Sequence, residues 1–227
     1  MELKVIAYFK SPFTDKFGIP RQSGLVDNVE GMIVFVPEWQ RAEAVRGLES
    51  YDYLWLLWGF SANKHAAVGA TVRPPRLGGN ERMGVFATRS PYRPNPIGLS
   101  SVKIKGIDYD AKNGPVIHVT GADLMDGTPI YDIKPYLEYT DSHTGIRCGM
   151  TDTTSWKQLE VRIPRDIEER LGDECQTLRD LLALDPRPHY HSTDHQGNRV
   201  YGMSFNHKNV RFVVEGSLLT VIEVTAL

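Results

Sequence analysis

Short apolar runs dominate the first two thirds of the chain. Lys4–Phe9, Met32–Val36, Tyr53–Phe60, Gly84–Ala87, Leu99–Ile107, Val116–Thr120 and Ile130–Ile133 are β-rich, and several are bounded by Gly, Pro, Asn or Asp. Such runs predict strands, with the intervening glycines and prolines supplying turns. One helix interrupts the series. Pro37 opens Glu38–Leu48, a run of good helix formers with Gly47 near its end. Many short strands with one helix favour a barrel over a doubly wound sheet.

The pattern changes after residue 140. Asp141–Ser155 is polar, small and without periodicity, which reads as a linker. Leu159–Ile163 then predicts a strand. Helical periodicity runs over Asp166–Leu184 through Ile167, Leu171, Leu178, Leu181 and Leu182, with Gly172 and Asp173 splitting it in two. Tyr201–Asn206, Val210–Glu215 and Leu218–Val224 predict strands, the last two joined at Glu215-Gly216-Ser217. The expected fold is therefore mainly β. A β-barrel domain spans 1–140, a linker 141–155, and a small α+β domain 156–227.

Composition narrows the class. The chain has 227 residues, 41% of them hydrophobic, which suits one full domain and a smaller one. The formal net charge of -2 gives no global basic field. Met1–Tyr8 lacks the pattern of a secretory signal, and no stretch approaches the roughly 18 apolar residues of a membrane span. Cys148 and Cys175 are the only cysteines and form no CxxC, which argues against a zinc site or a disulfide framework. A soluble cytoplasmic protein without a structural metal is the expectation.

A local charge excess changes that picture. Lys64, Arg73, Arg76, Arg82, Arg89, Arg93, Lys103 and Lys105 share their stretch with a single acid, Glu81. Such a cluster suits phosphates, although scattered surface charges would look the same. Two loops here, 71–80 and 87–98, are rich in Pro, Arg and Gly. Proline stiffens a loop, and arginines on stiff loops lose less entropy on binding an anion. A structural crossing between strands would use the same residues. Asp123, Asp126 and Asp132 crowd a third segment, 121–136, where a carboxylate could accept ribose hydroxyls, hold an ammonium or take a proton. Asp126-Gly127 could equally be hairpin turn chemistry.

No GxGxxG follows a strand and no Walker loop occurs, so a nucleotide-type cofactor would bind outside a Rossmann crevice. His189, His191, Asp194 and His195 admit a metal-cluster reading, set against an exposed loop touching RNA or solvent. Phe205–Phe212 interleaves cations with aromatics, a composition that suits unpaired RNA and also a core hairpin.

Taken together, these loops resemble the TrmO (YaeB-like) tRNA methyltransferases. The resemblance rests on Ile19-Pro20-Arg21-Gln22 with Gly24-Leu25, Arg46–Glu49, Thr71–Asn80, Met83–Arg89, Arg93–Gly98 and Asp123–Tyr136, and extends through Asp185–Tyr190 and Asn209–Arg211. It implies a non-Rossmann β-barrel that binds S-adenosyl-L-methionine. It also implies a homodimer with cofactor sites near the subunit interface, and methylation of N6 of threonylcarbamoyl-adenosine beside the tRNA anticodon. Cofactor contacts carry over to Pro20, Arg21, Gln22, Ser61, Ala62, Arg89, Leu99, Asp123, Leu124, Met125 and Asp126. Some members place a His just after the Leu-Trp strand; here the segment reads Ser61-Ala62-Asn63-Lys64-His65.

For that chemistry Asn95 is the first candidate acceptor for the N6 hydrogen, with its backbone carbonyl as a further option, and Asp126 or Asp132 could take the proton. Arg93 or Arg76 suits the substrate carboxylate. Arg187, Lys208 and Arg211 are expected to meet the anticodon arm. Two rival readings are a non-catalytic RNA-binding barrel and a metal-dependent hydrolase using His189–His195.

Overall fold

A computed structural model describes residues 2–62, 69–74, 81–112, 114–153, 157–187 and 199–227. The N-terminal strands are β1 (Ala7–Lys10), β2 (Glu30–Phe35), β3 (Tyr53–Gly59), β4 (Thr71–Val72), β5 (Met83–Gly84), β6 (Ile97–Asp108), β7 (Val116–Thr120) and β8 (Pro129–Pro135). Six of them pair in the order β1-β2-β7-β6-β3-β8, and β8 pairs back onto β1, so the sheet closes on itself. β4 and β5 form a separate two-stranded ribbon.

Period-2 alternation puts Ala7, Phe9, Ile33, Phe35, Leu54, Leu56, Val102, Ile117, Val119 and Ile130 inside the closed sheet. The fold is mainly β, as its short apolar runs imply. Two elements differ from expectation. Gly84–Ala87 is the end of β5 followed by a 3-10 turn, Val85–Ala87. The region expected as one helix, 38–48, is instead a 3-10 turn at Pro37–Trp39, one α-turn at Ala42–Val45 and a second 3-10 turn at Leu48–Ser50. It buries only Val45 among these turns, too little apolar surface to support a continuous helix. Gly47, at φ 93°, ends it.

After residue 156 come β9 (Glu160–Arg162), α1 (Arg165–Leu171), α2 (Glu174–Ala183), β10 (Tyr201–Phe205), β11 (Lys208–Glu215) and β12 (Leu218–Ala226). The four strands order as β10-β11-β12-β9, with β9 parallel to β12. Gly172 separates the helices at φ 54°, a conformation open to glycine. Ile167, Leu171, Leu178, Leu181 and Leu182 pack with Val210, Phe212, Leu219 and Val221. Within the 141–155 segment Met150–Thr153 makes a single helical turn.

The second core is completed from the N-terminal half. Phe13, Val26 and Val29, all from the β1–β2 connection, are buried in it, with Phe17 and Ile19 packed alongside. The Asn206 N–H donates to the Pro12 carbonyl at 2.9 Å, and Ser204 Oγ to Asp15 Oδ2 at 2.9 Å. The same connection is tied to the closed sheet by Gly24 N–H to Gly121 O and Asp126 N–H to Phe13 O. Residues 11–29 therefore lie between the two cores, held by both.

Candidate active site

A cavity of about 630 Å³ opens at one end of the closed sheet. Four segments border it: the end of β3 with Phe60–Ala62, the 88–95 loop with the start of β6, the β7–β8 connection, and residues 16–22 of the β1–β2 connection.

Trp58 lines it. It occupies the last inward position of β3 after Leu54 and Leu56, and it lies opposite Gly98 on β6. A Cβ at residue 98 would stand 2.3 Å from Trp58 Cε2, so the indole lies across β6 only because residue 98 is glycine. This gives the glycine of Arg93-Pro94-Asn95-Pro96-Ile97-Gly98 a packing reason. Trp58 Nε1–H donates to Ser100 Oγ at 2.9 Å, and Ser100 Oγ donates to Asp123 Oδ1 at 2.6 Å. Burial pushes the Asp123 carboxyl above its ordinary value, while the Ser100 hydroxyl, the backbone N–H groups of Asp123 and Ser23, and the Arg89 charge pull it down.

The arginine loop is rigid for reasons beyond its prolines. The Thr88 hydroxyl donates to the Val85 carbonyl, Ser90 N–H donates to Thr88 Oγ1, and Tyr92 N–H donates to Ser90 Oγ. Arg93 Nη1 donates to the Thr88 carbonyl at 3.0 Å. Arg89 Nη1 donates to Gln22 Oε1 and so joins this loop to the β1–β2 connection. Phe60 N–H donates to the Pro96 carbonyl at 3.0 Å, and Ile97 N–H to the Asn95 carbonyl at 2.7 Å.

The cavity brings together Pro20, Arg21, Gln22, Ser61, Ala62, Arg89, Leu99, Asp123 and Met125 from the expected cofactor set, with Arg93 and Asn95 beside them. It does not bring in Leu124, Asp126 or Asp132. Leu124 alternates with Asp123 and Met125 and is 1% exposed, in the core of the closed sheet. Asp126 accepts from Ser11 N–H and faces Lys10 at 3.6 Å. Asp132 pairs with Lys134 at 2.9 Å and accepts from Ile133 N–H. Lys16, Phe60, Trp58, Thr128 and the buried Ser100 escaped the sequence reading. Ser100 had a signal: a polar residue at an inward position of β6, between Gly98 and Val102.

The expected tRNA contacts are arranged otherwise. Arg187 is buried, and its Nε and Nη2 grip Asp185 at 2.8 and 2.9 Å, which corrects its placement on an RNA-facing surface. Lys208 pairs with Glu174 at 2.7 Å and Arg211 with Glu223 at 2.8 Å. Arg76, Asn63–His65 and His189–His195 lie outside the described residues. Among the described residues no group of His, Cys, Asp or Glu could hold a metal ion, and no helix is long and apolar enough to cross a membrane.

The cavity falls within the roughly 300–1,000 Å³ of small-molecule sites. Its aromatic rings, one anchored carboxylate and several cations suit a ligand with a flat base, hydroxyls, an ammonium and a carboxylate.

Comparison with known proteins agrees with that fit. The family model for the tRNA-methyltransferase O N-terminal domain matches residues 8–142, and that for the TrmO C-terminal domain matches 156–227. The chain belongs to the TrmO family. Within this family, the tRNA (adenine(37)-N6)-methyltransferase of Escherichia coli K12 is 37% identical over 220 residues, covering 94% of this chain and 93% of that protein. A Pseudomonas aeruginosa protein to which S-adenosylmethionine-dependent methyltransferase activity is attributed is 37% identical over 205 residues, 87% of this chain and 86% of its own. A solved TrmO crystal structure superposes with a TM-score of 0.78 at 31% identity, covering 100% of this chain and 99% of that one.

Proposed function

We propose that this chain transfers a methyl group from S-adenosyl-L-methionine to N6 of threonylcarbamoyl-adenosine beside the tRNA anticodon, as a cytoplasmic homodimer. On this reading the closed sheet is the cofactor-binding barrel of a non-Rossmann methyltransferase, and residues 156–227 are a small α+β domain behind a 141–155 linker. The observation that carries it is the cavity, in which an anchored carboxylate, Asp123, faces Arg89 of the hydrogen-bonded 88–95 loop within a TrmO-family chain.

The donor's sulfonium supplies an activated methyl for in-line displacement. The protein's part is mainly proximity and orientation. Arg89 and Gln22 lock the two loops that border the donor. Asp123 accepts from the donor's hydroxyls or ammonium. As the N–CH₃ bond forms, the donor's S–CH₃ bond would break to leave a neutral thioether, and the urea-like N6 must lose its proton. Asn95 lines the cavity, and its side-chain amide oxygen is the hydrogen-bond acceptor we assign to N6–H, the proton itself passing to solvent as the nitrogen is methylated. Asp126 and Asp132, engaged elsewhere, are set aside for this role. Arg93, steadied by the Thr88 carbonyl, presents its guanidinium to the substrate carboxylate.

The test is mass spectrometry of nucleosides from tRNA incubated with purified protein and S-adenosyl-L-methionine, with threonylcarbamoylated and unmodified tRNA in parallel. The expected result is a methylated threonylcarbamoyl-adenosine from the first tRNA only. Donor binding without any methylated nucleoside would favour a non-catalytic RNA-binding protein.

A further inference from the structure

We propose that Trp58 and Ser100 are positioning residues that hold Asp123 in one orientation as the hydrogen-bond acceptor for the bound methyl donor. This rests on the donor-binding role proposed for the cavity. The direction of the hydrogen-bond chain follows from chemistry. An indole N–H can only donate. Ser100 Oγ must therefore accept from Trp58, at 2.9 Å, and its own hydroxyl proton points to Asp123 Oδ1, at 2.6 Å. That separation falls in the range of charge-assisted O–H···O⁻ bonds, roughly 2.5–2.7 Å.

Three consequences follow. Oδ1 of Asp123 can only accept, so any proton the carboxyl takes must sit on Oδ2. The carboxylate cannot rotate about its Cβ–Cγ bond without breaking the Ser100 bond. Ser100 is 1% exposed, so solvent does not compete for its hydroxyl. The chain is fixed at its far end as well, because Trp58 lies across Gly98 and against the Phe60 ring at 4.4 Å. A serine at an inward strand position, where an apolar side chain would pack, is otherwise unexplained.

Asp123 is also faced by the backbone N–H of Ser23 and the charge of Arg89. The other charged groups lining the cavity are Lys16, Arg21 and Arg93. Ser100 is a donor to the carboxylate, so its loss raises the pH at which Asp123 takes a proton and ceases to accept from the donor molecule.

The experiment is calorimetric titration of S-adenosyl-L-methionine across roughly pH 5–9 into the wild type, Ser100→Ala and Trp58→Phe, with melting curves to verify folding. The expected loss at neutral pH is about tenfold to a hundredfold for Ser100→Ala and smaller for Trp58→Phe. In both variants the pH below which affinity falls moves upward. The donor's own amino group titrates alike in all three proteins and drops out of the comparison. An affinity loss equal at every pH would mark a packing defect and overturn the proposal, as would no change. Trp58→Phe keeps a ring over Gly98, so it decides the matter if Ser100→Ala does not fold. A wild type that binds no donor would instead overturn the proposed function.

Discussion

Arg21 Nη2 donates to the backbone carbonyl of Asp185 at 3.3 Å, joining a cavity-lining residue of the β1–β2 connection to the end of α2. Asp185 holds a left-handed backbone, φ 51°, and its carboxylate is gripped by Arg187. Arg21 is thus linked through Asp185 to an ion pair in the C-terminal half. Arg187→Ala leaves the mostly buried Asp185 carboxylate, 16% exposed, without its partner, at a cost towards the lower end of about 3–5 kcal/mol. We expect a lowered melting temperature, and weaker donor binding at a temperature where the variant is still folded. Full donor affinity in a folded but destabilised variant would show that the two halves are not coupled through this contact.

Glycine 98 is expected to tolerate no side chain. Gly98→Ala places a methyl group against the Trp58 indole, and overpacking of this kind costs about 1–3 kcal/mol. Trp58 borders the cavity, so donor affinity should fall with stability. Gly106→Ala on the same strand is the control, since a Cβ there meets nothing within 4 Å. Equal melting temperatures for the two variants would contradict the packing role.

Much of this was legible in the sequence because it follows from local pattern. Tyr53–Gly59 and Val116–Thr120 are short apolar runs rich in strand-forming residues, and Gly172 splits two helices whose apolar positions keep a 3.6 period. The loops carrying Arg89, Arg93 and Asp123 stood out through residue types that strands seldom use. What escaped depends partly on contacts distant in sequence and partly on a local turn of the backbone. Nothing near Phe13 or Val26 announces that they complete a core built after residue 156. Arg187 looks like a surface cation until Asp185, two residues away, turns back to neutralise it. Charge alone cannot distinguish an arginine that meets RNA from one that closes a buried pair.

Asp123 should make stability depend on pH in a predictable direction. Its folded carboxyl lies above the ordinary value because of burial. A raised carboxyl contributes stability below the unfolded value of about 3.9 and loses it as pH rises through the folded value. Asp123→Asn cannot ionise, yet still offers an oxygen to the Ser100 hydroxyl. Without donor, the variant should therefore melt increasingly above the wild type as pH rises from the acid range towards neutrality, while binding donor less well. Melting curves over that range check this, and a difference independent of pH would contradict it.

The salt dependence of tRNA binding should locate the recognition surface. Each phosphate contact contributes a slope of roughly −0.7 in log affinity against log salt for single strands. Lys208 and Arg211 are already neutralised by Glu174 and Glu223, so removing them eliminates little net field. Arg73 and Arg82 are exposed, and among the described residues neither takes part in an ion pair. They flank the ribbon, Arg73 just after β4 and Arg82 just before β5, and β5 leads into the arginine loop of the cavity. Arg73→Ala/Arg82→Ala should weaken tRNA binding and flatten its slope by about 1.4, twice the single contact. Lys208→Ala/Arg211→Ala should flatten it less, and neither pair should alter donor affinity. Binding isotherms at several salt concentrations read both slopes. If the C-terminal pair flattens the slope more, the anticodon arm is held by β11 and not by the β4–β5 ribbon.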